Sequence, residues 1–182
     1  MCQDANQGEN SYDVSVIRPR VLNENIRSRG KGMETSRLAA IKKGLRTLHT
    51  LELMATTIYR FQITDASNEH NRQLIAAMCN EMTHYQDFQV KLYEYGFKPS
   101  VFRWAFWIVG VVFGLSSRIM GSKAVLKMGI WVESKAVDHY AHLLKTIDWD
   151  QDTRKMIQKD QADEDGHILK WKNLLKSDTS ES

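Results

Sequence analysis

Glu81 with His84, and Glu164 with His167, are the side chains in this sequence best suited to chemistry, because each pair joins a carboxylate and an imidazole three positions apart. On a helix, residues i and i+3 lie about 60° apart around the axis, so each pair points into one groove. One Glu-x-x-His is usually a surface coincidence. Here each copy follows another glutamate, Glu52 standing 29 positions before Glu81 and Glu133 standing 31 before Glu164. The single glutamates open matching E-x-x-A-x-x-x-Y stretches, Glu52 with Ala55 and Tyr59, and Glu133 with Ala136 and Tyr140. The chain therefore contains an internal repeat with the order E, ExxH, E, ExxH.

Four carboxylates turned into a helical interior would be disfavoured by roughly several kcal/mol each unless paired with positive charge. Two divalent cations balance four carboxylates. One Glu from each of two helices, with Glu-x-x-His from each of two others, is the ligand set of di-iron or di-manganese ferritin-like bundles. The candidate metal ligands are thus Glu52, Glu81, His84, Glu133, Glu164 and His167. Six ligands for two metals leave coordination positions open, which favours chemistry with oxygen or peroxide over bracing. No catalytic residue or cofactor-binding residue is assigned beyond these ligands.

Three nearby residues are candidates for supporting the ligands. His139, six positions after Glu133, is read either as a hydrogen-bond partner of a ligand or as a polar residue on the bundle flank. Tyr59 and Tyr140 fall on the inner face, where core packing is the default and a relay the alternative. Asp87, Asp163 and Asp165 adjoin the ligands and either orient the imidazoles or face solvent. His49, His70 and His142 have no repeated partner and are expected to be structural or exposed. Phosphate loops, serine or cysteine triads and zinc-finger spacings are absent from the sequence.

The elements that must carry these residues are helices. With 42% hydrophobic and 26% charged residues in 182, the chain has the balance of one folded domain. Two prolines, Pro19 and Pro99, leave long stretches without a breaker, and alternating strand patterns are scarce. The pattern predicts helices over about 36–63, 67–95, 122–147 and 152–175. Gly96 and Pro99 end the second and the acidic turn at 148–150 ends the third. The expected fold is an all-α, ferritin-like four-helix bundle with a short apolar segment between helices two and three. Residues 1–34 are expected to form a flexible polar and basic tail, 35–176 the di-iron domain, and 177–182 a disordered tail.

From Trp104 to Ser117 run 14 consecutive uncharged residues, bracketed by Arg103 and Arg118. A single-pass span needs about 20 apolar residues, so this segment is too short to cross a bilayer. It is read as an interfacial membrane anchor, on the strength of Trp104, Phe106, Trp107 and the flanking arginines, against a buried crossover helix. Nine Lys or Arg between positions 18 and 46 against Glu24 and Glu34 form either a solvated leader or a contact to anionic lipid. No aromatic interleaving supports nucleic-acid binding. Asp4, Glu9 and Asp13 argue against a signal or transit peptide. Cys2 and Cys79 are expected to be free thiols, which favours a reducing compartment.

Taken together, ELMATTIYRFQ at 52–62, EMTHYQDF at 81–88, VESKAVDHY at 132–140 and DEDGH at 163–167 resemble the demethoxyubiquinone hydroxylase family of ubiquinone biosynthesis. Lys98-Pro99 and the Trp- and Gly-containing segment that follows, ending near Gly121, extend the resemblance. It covers roughly residues 45–175. One departure is Glu-Asp-Gly-His in the last motif, where Gly166 costs a helix about 1 kcal/mol relative to alanine. The resemblance assigns the same six ligands and implies two iron ions, with NADH as electron source. It implies a monooxygenase that uses O2 to hydroxylate a polyprenyl benzoquinone ring. It also implies peripheral attachment to a membrane, on the cytoplasmic face of a bacterial inner membrane or the matrix face of the mitochondrial one, beside a lipid-presenting or biosynthetic-complex partner. The competing readings are a ferritin-like ferroxidase or iron-handling protein, and a non-catalytic metal-bound membrane scaffold.

Overall fold

The structure, a computed structural model, describes residues 25–180, so Cys2 and the first two basic residues of the leader, Arg18 and Arg20, lie outside it. Among the described residues there are five α-helices and no strand. They are α1 (Thr35–Gln62), α2 (Glu69–Glu94), α3 (Arg103–Ile119), α4 (Ser122–Thr146) and α5 (Gln151–Ser180). The four long helices pair as α1 with α2 and α4 with α5, and α3 lies along α1. This is the all-α ferritin-like arrangement expected, with element ends within a few residues of the predicted ones except at α5.

Local chemistry sets the boundaries. Asn68 caps α2 by accepting a hydrogen bond from the Asn71 amide at 2.8 Å, and the Asn71 side chain accepts from the Thr64 amide at 2.8 Å, which fixes the α1–α2 turn. Gly96 ends α2 with φ of +71°, and Gly121 precedes α4 with φ of +93°, a left-handed conformation that glycine adopts without steric cost. Asp150 caps α5, its carboxylate accepting from the Thr153 amide at 3.2 Å. Helix α5 was expected to end near Leu175. It continues to Ser180 because neither Gly nor Pro follows to stop it, and Ser177 donates back to the Leu174 carbonyl at 2.8 Å. Of the stretch 177–182, residues 177–180 belong to this helix and the last two lie outside the described ones.

The described part of the leader is not loose. Arg29 reaches three carboxylates from two helices, Glu94 Oε2 at 2.7 Å, Asp150 Oδ1 at 2.6 Å and Asp152 Oδ2 at 3.1 Å. Its amide also donates to the Glu94 carbonyl at 2.7 Å. The chain from Arg27 onward therefore straps one end of the bundle, where the partly buried guanidinium is well paired.

Helix α3 is half buried rather than wholly so. A Cβ added at Gly110 would stand 2.9 Å from the Met54 carbonyl oxygen, and one at Gly114 would stand 2.7 Å from that of Ile58. The missing side chains let the two backbones touch, and Gln62 Nε2 donates to Ser117 Oγ at 2.8 Å to complete the seam. The opposite face exposes Trp104, Trp107, Ile108, Val112, Leu115 and Ile119. The helix is thus covered on one face and exposed on the other in this chain. No helix among the described residues is long and apolar enough to cross a membrane.

Two apolar clusters close the bundle. Leu45, Leu48, Phe88, Leu92, Tyr140, Trp149 and Ile157 fill one end, and Tyr59, Leu74, Ala77, Leu126 and Trp171 the other. On every long helix the charged candidate residues fall between a member of the first cluster and a member of the second. The core is thus a polar layer sealed at both ends by hydrocarbon.

Candidate metal centre

All six predicted ligands meet in that layer. Glu81, His84, Glu133 and Glu164 are fully buried, Glu52 is 1% and His167 5% exposed. Two overlapping sets could each hold a metal ion: Glu52, Glu81, His84 and Glu164, and Glu81, Glu133, Glu164 and His167. Within each set, one ligand atom per residue lies within 4.8 Å of all the others. Glu81 and Glu164, the glutamates of the two Glu-x-x-His pairs, belong to both sets and so stand where bridging carboxylates would.

The separations are short, yet the atoms are not hydrogen-bonded. His84 Nδ1 lies 2.9 Å from Glu164 Oε1, 3.6 Å from Glu81 Oε2 and 3.9 Å from Glu52 Oε2. His167 Nδ1 lies 3.1 Å from Glu81 Oε1 and 3.5 Å from both Glu133 Oε1 and Glu164 Oε2. Both Nδ1 atoms, both oxygens of Glu81 and of Glu164, and Glu133 Oε2 are nevertheless buried without a hydrogen-bond partner. These buried lone-pair-bearing atoms thus crowd together within 4.8 Å of one another in each set without hydrogen bonds to satisfy them. Buried polar atoms are seldom left so, and this donor set of carboxylate and imidazole fits a pair of divalent ions.

The electrostatics follow from burial. Loss of solvent, then the charges of Glu164 and Glu81, push the Glu52 carboxyl well above its ordinary range. Burial and Glu164 raise Glu133 to about 7. Burial alone would lower both imidazoles. The neighbouring carboxylates of Asp163, Glu164 and Glu81 instead raise His84, and those of Glu133, Glu164 and Glu81 raise His167 to about 12. Without metal, protons perform the neutralisation that cations would otherwise supply.

The supporting candidates divide. Tyr140 donates from α4 to Glu52 Oε1 on α1 at 2.6 Å, and Tyr59 donates from α1 to Glu133 Oε1 on α4. Each tyrosine of the repeated motif thus bonds to the glutamate of the other copy. Both rings are also fully buried, so packing and hydrogen bonding coincide, and burial followed by the partner glutamate raises both phenols. His139 is exposed and donates to its own helix at the Lys135 carbonyl, 2.8 Å away, rather than to a ligand. It stands at the edge of a cavity of about 50 Å³ whose inner wall includes Glu52, Glu81 and Glu133, with Ala55, Ala136 and Trp131 also lining it.

Asp163 turns inward, its Oδ2 standing 3.2 Å from His84 Nε2, whereas Asp165 is exposed and Asp87 is partly buried. His49 is buried and donates through Nε2 to Gln89 Oε1 at 2.7 Å, His70 pairs with Asp178 at 3.2 Å, and His142 is exposed. Cys79 is an exposed free thiol. Sequence reasoning missed Asp160, which is fully buried with neither oxygen hydrogen-bonded and with Oδ1 3.9 Å from His84 Nε2. Burial raises its carboxyl to about 7. Its signal was its position one turn before Glu164 on the same inner face.

The stretch of chain that carries these residues has known relatives. The family model described as ubiquinone biosynthesis protein COQ7 matches residues 39–174, which include all six candidate ligands. The NADPH-dependent 3-demethoxyubiquinone 3-hydroxylase, mitochondrial, of Dictyostelium discoideum is 27% identical over 133 residues, covering 70% of this chain and 61% of that protein. The 3-demethoxyubiquinol 3-hydroxylase of Legionella pneumophila (strain Paris) is 27% identical over 125 residues, covering 68% and 59%. The chain spans about three fifths of the length of these curated relatives. With three quarters of its residues inside one family model, and that model's span holding the whole buried ligand cluster, the chain belongs to the COQ7 family of ubiquinone biosynthesis proteins.

Proposed function

We propose that this chain is an oxygen-dependent di-iron monooxygenase that hydroxylates the ring of a demethoxyubiquinone-type polyprenyl quinone or quinol. The observation that carries the reading is the crowding together of seven buried, unpartnered ligand atoms from α2, α4 and α5, with Glu52 of α1 beside them. Glu52, Glu81, His84 and Glu164 would hold one ion, and Glu81, Glu133, Glu164 and His167 the other. When bound, the pair would supply the oxygen activation and the relay of electrons from an external reductant that an organic side chain cannot.

The chain's own residues do the rest. Tyr140 and Tyr59 fix the orientation of Glu52 and Glu133 through their hydroxyls. The hydrocarbon clusters at either end of the bundle keep bulk water from the polar layer, which limits competing reactions with solvent. Ala55 and Ala136 leave the cavity open toward three of the carboxylates, and Trp131 joins its lining to the apolar surface beside Phe113 of α3, the two rings lying 5.9 Å apart. A ring entering there would keep its isoprenoid tail against α3. We assign the exposed face of α3 to a membrane surface, held peripherally, where Trp104 and Trp107 suit the headgroup layer.

The balance of the reaction is one O2, two electrons and two protons, with one oxygen atom entering the ring and the other leaving as water. A reduced nicotinamide, NADH by the original resemblance, supplies the electrons, and a lipid-presenting protein is the expected partner. The small cavity reaching the carboxylates favours this reading over iron handling or a structural scaffold. Metal analysis of purified protein, followed by mass spectrometry of the quinone after incubation with O2 and reductant, tests it. Two irons per chain and a product heavier by one oxygen atom are expected, and both should be lost in Glu164→Ala. Hydroxylation that survives Glu164→Ala would overturn the proposal.

A further inference from the structure

The two copies of the Glu-x-x-His motif are related by an offset of 83 residues, so α2 and α5 can be compared position by position. Asp163, which immediately precedes Glu164, corresponds to Asn80 before Glu81, and Asp160 corresponds to Ala77. The ligands are repeated and their surroundings are not. His84 Nε2, the nitrogen turned away from the glutamates, faces Asp163 Oδ2 at 3.2 Å and Asp160 Oδ1 at 3.9 Å. Asn80 does not serve His167 in return. Its amide nitrogen lies 3.3 Å from the same His84 Nε2. Among the described residues, His167 meets carboxylates only through Nδ1, and none lies within 4.0 Å of its Nε2.

We infer that the two metal positions are unequal, with Asp160 and Asp163 acting as positioning residues that make the position served by His84 the tighter one, so that the centre loads in a fixed order. The inference rests on the proposed di-metal reading and deepens it. A carboxylate that accepts the outer N–H of a ligating imidazole fixes its tautomer, holds the ring's orientation and raises its basicity toward the metal. Asp163 is placed to do this for His84. The adjoining Asp160, buried with neither oxygen hydrogen-bonded, adds negative charge on the same side, and among the described residues the Lys or Arg paired with the two aspartates is Lys159, its Nζ 3.7 Å from Asp160 and 3.6 Å from Asp163. Lys159 is largely exposed, so water weakens its countercharge. His167 receives neither kind of support.

Repulsion between two bound ions would by itself separate two binding steps, so the test isolates each position. Metal-free His167→Ala and His84→Ala variants of the full chain are titrated with Co(II), read by calorimetry and by the visible absorption of the bound ion. Folding is checked by circular dichroism. His167→Ala, which keeps the His84 position, should bind its ion 10–100-fold more tightly than His84→Ala. Adding Asp163→Asn to His167→Ala should erase that advantage, and adding it to His84→Ala should change the affinity little, because Asp163 faces His84 and not His167. Equal affinities in the two histidine variants, or an equal loss from Asp163→Asn in both backgrounds, would overturn the inference while leaving a di-metal centre standing. A parent chain that takes up no metal would overturn the proposed function and the inference with it.

Discussion

The metal-free protein should lose stability as the pH rises from 5 to 7, opposite to the usual behaviour of a protein held by ionised carboxylates. Glu133 is the clearest contributor. Its folded-state value of about 7 stands against an ordinary 4.5, because burial and Glu164 disfavour its charged form. Between those values the unfolded chain releases a proton that the folded chain keeps, so stability falls by about 1.4 kcal/mol per pH unit, roughly 3 kcal/mol across the window. Asp160, raised to about 7, acts in the same direction, and the raised imidazoles of His84 and His167 extend the loss above 6.5. The lowered carboxylates of the strap, Glu94, Asp150 and Asp152, have completed their contribution by pH 5 and do not mask it. Urea denaturation of chelator-treated protein at pH 5, 6 and 7 measures the slope. Glu133→Gln keeps an acceptor for the Tyr59 hydroxyl and should remove about one proton's share of that slope. The metal-loaded protein should show no such fall, because cations replace the protons. Metal-free stability that is flat or rises over this range, or a slope untouched by Glu133→Gln, would refute the argument that charge neutralisation holds this core together.

Three further perturbations reach other parts of the argument. Gly114→Ala would place a Cβ 2.7 Å from the Ile58 carbonyl oxygen, a backbone atom that cannot rotate away, so α3 should lift from α1 at a cost of about 1–3 kcal/mol in urea denaturation. Gly166→Ala meets nothing within 4 Å and should raise stability by about 1 kcal/mol with metal content unchanged. Replacing exposed Trp104 and Trp107 together with glutamine should reduce sedimentation with phospholipid vesicles and leave iron content intact, whereas equal vesicle binding by parent and variant would remove α3 as the attachment face.

Much of the site was legible because ligand geometry is a matter of spacing along single helices. Three residues between Glu81 and His84 decide that they share a groove, and nothing outside that helix alters it. Partnerships across helices were less legible. That Tyr140 would reach Glu52, 88 positions away, depends on how α4 is set against α1, which periodicity does not specify. The face chosen by α3 was similarly open, since a run of apolar residues has no polar side to orient it. Its orientation follows from Gly110 and Gly114, which mark where two backbones touch only once the partner helix is known. Arg29 shows the same limit in a charged segment, its three carboxylate partners arriving from the end of α2 and the start of α5.

Asp160 was missed for a different reason. The internal repeat was found by matching what its two halves share, and that procedure passes over positions where they differ. Such differences are where two ligand sets built from one pattern acquire separate properties, because the shared residues impose the same coordination on both. A buried carboxylate without a hydrogen-bond partner is costly, and Ala77 shows that the equivalent position in the other half is filled without one. The cost at Asp160 is offset if a cation lies on the far side of the His84 ring, and it has no comparable offset if that side stays empty. Asp160→Asn should therefore stabilise the metal-free protein near neutral pH and weaken metal binding at the His84 position, so a single substitution would move the two measurements in opposite directions.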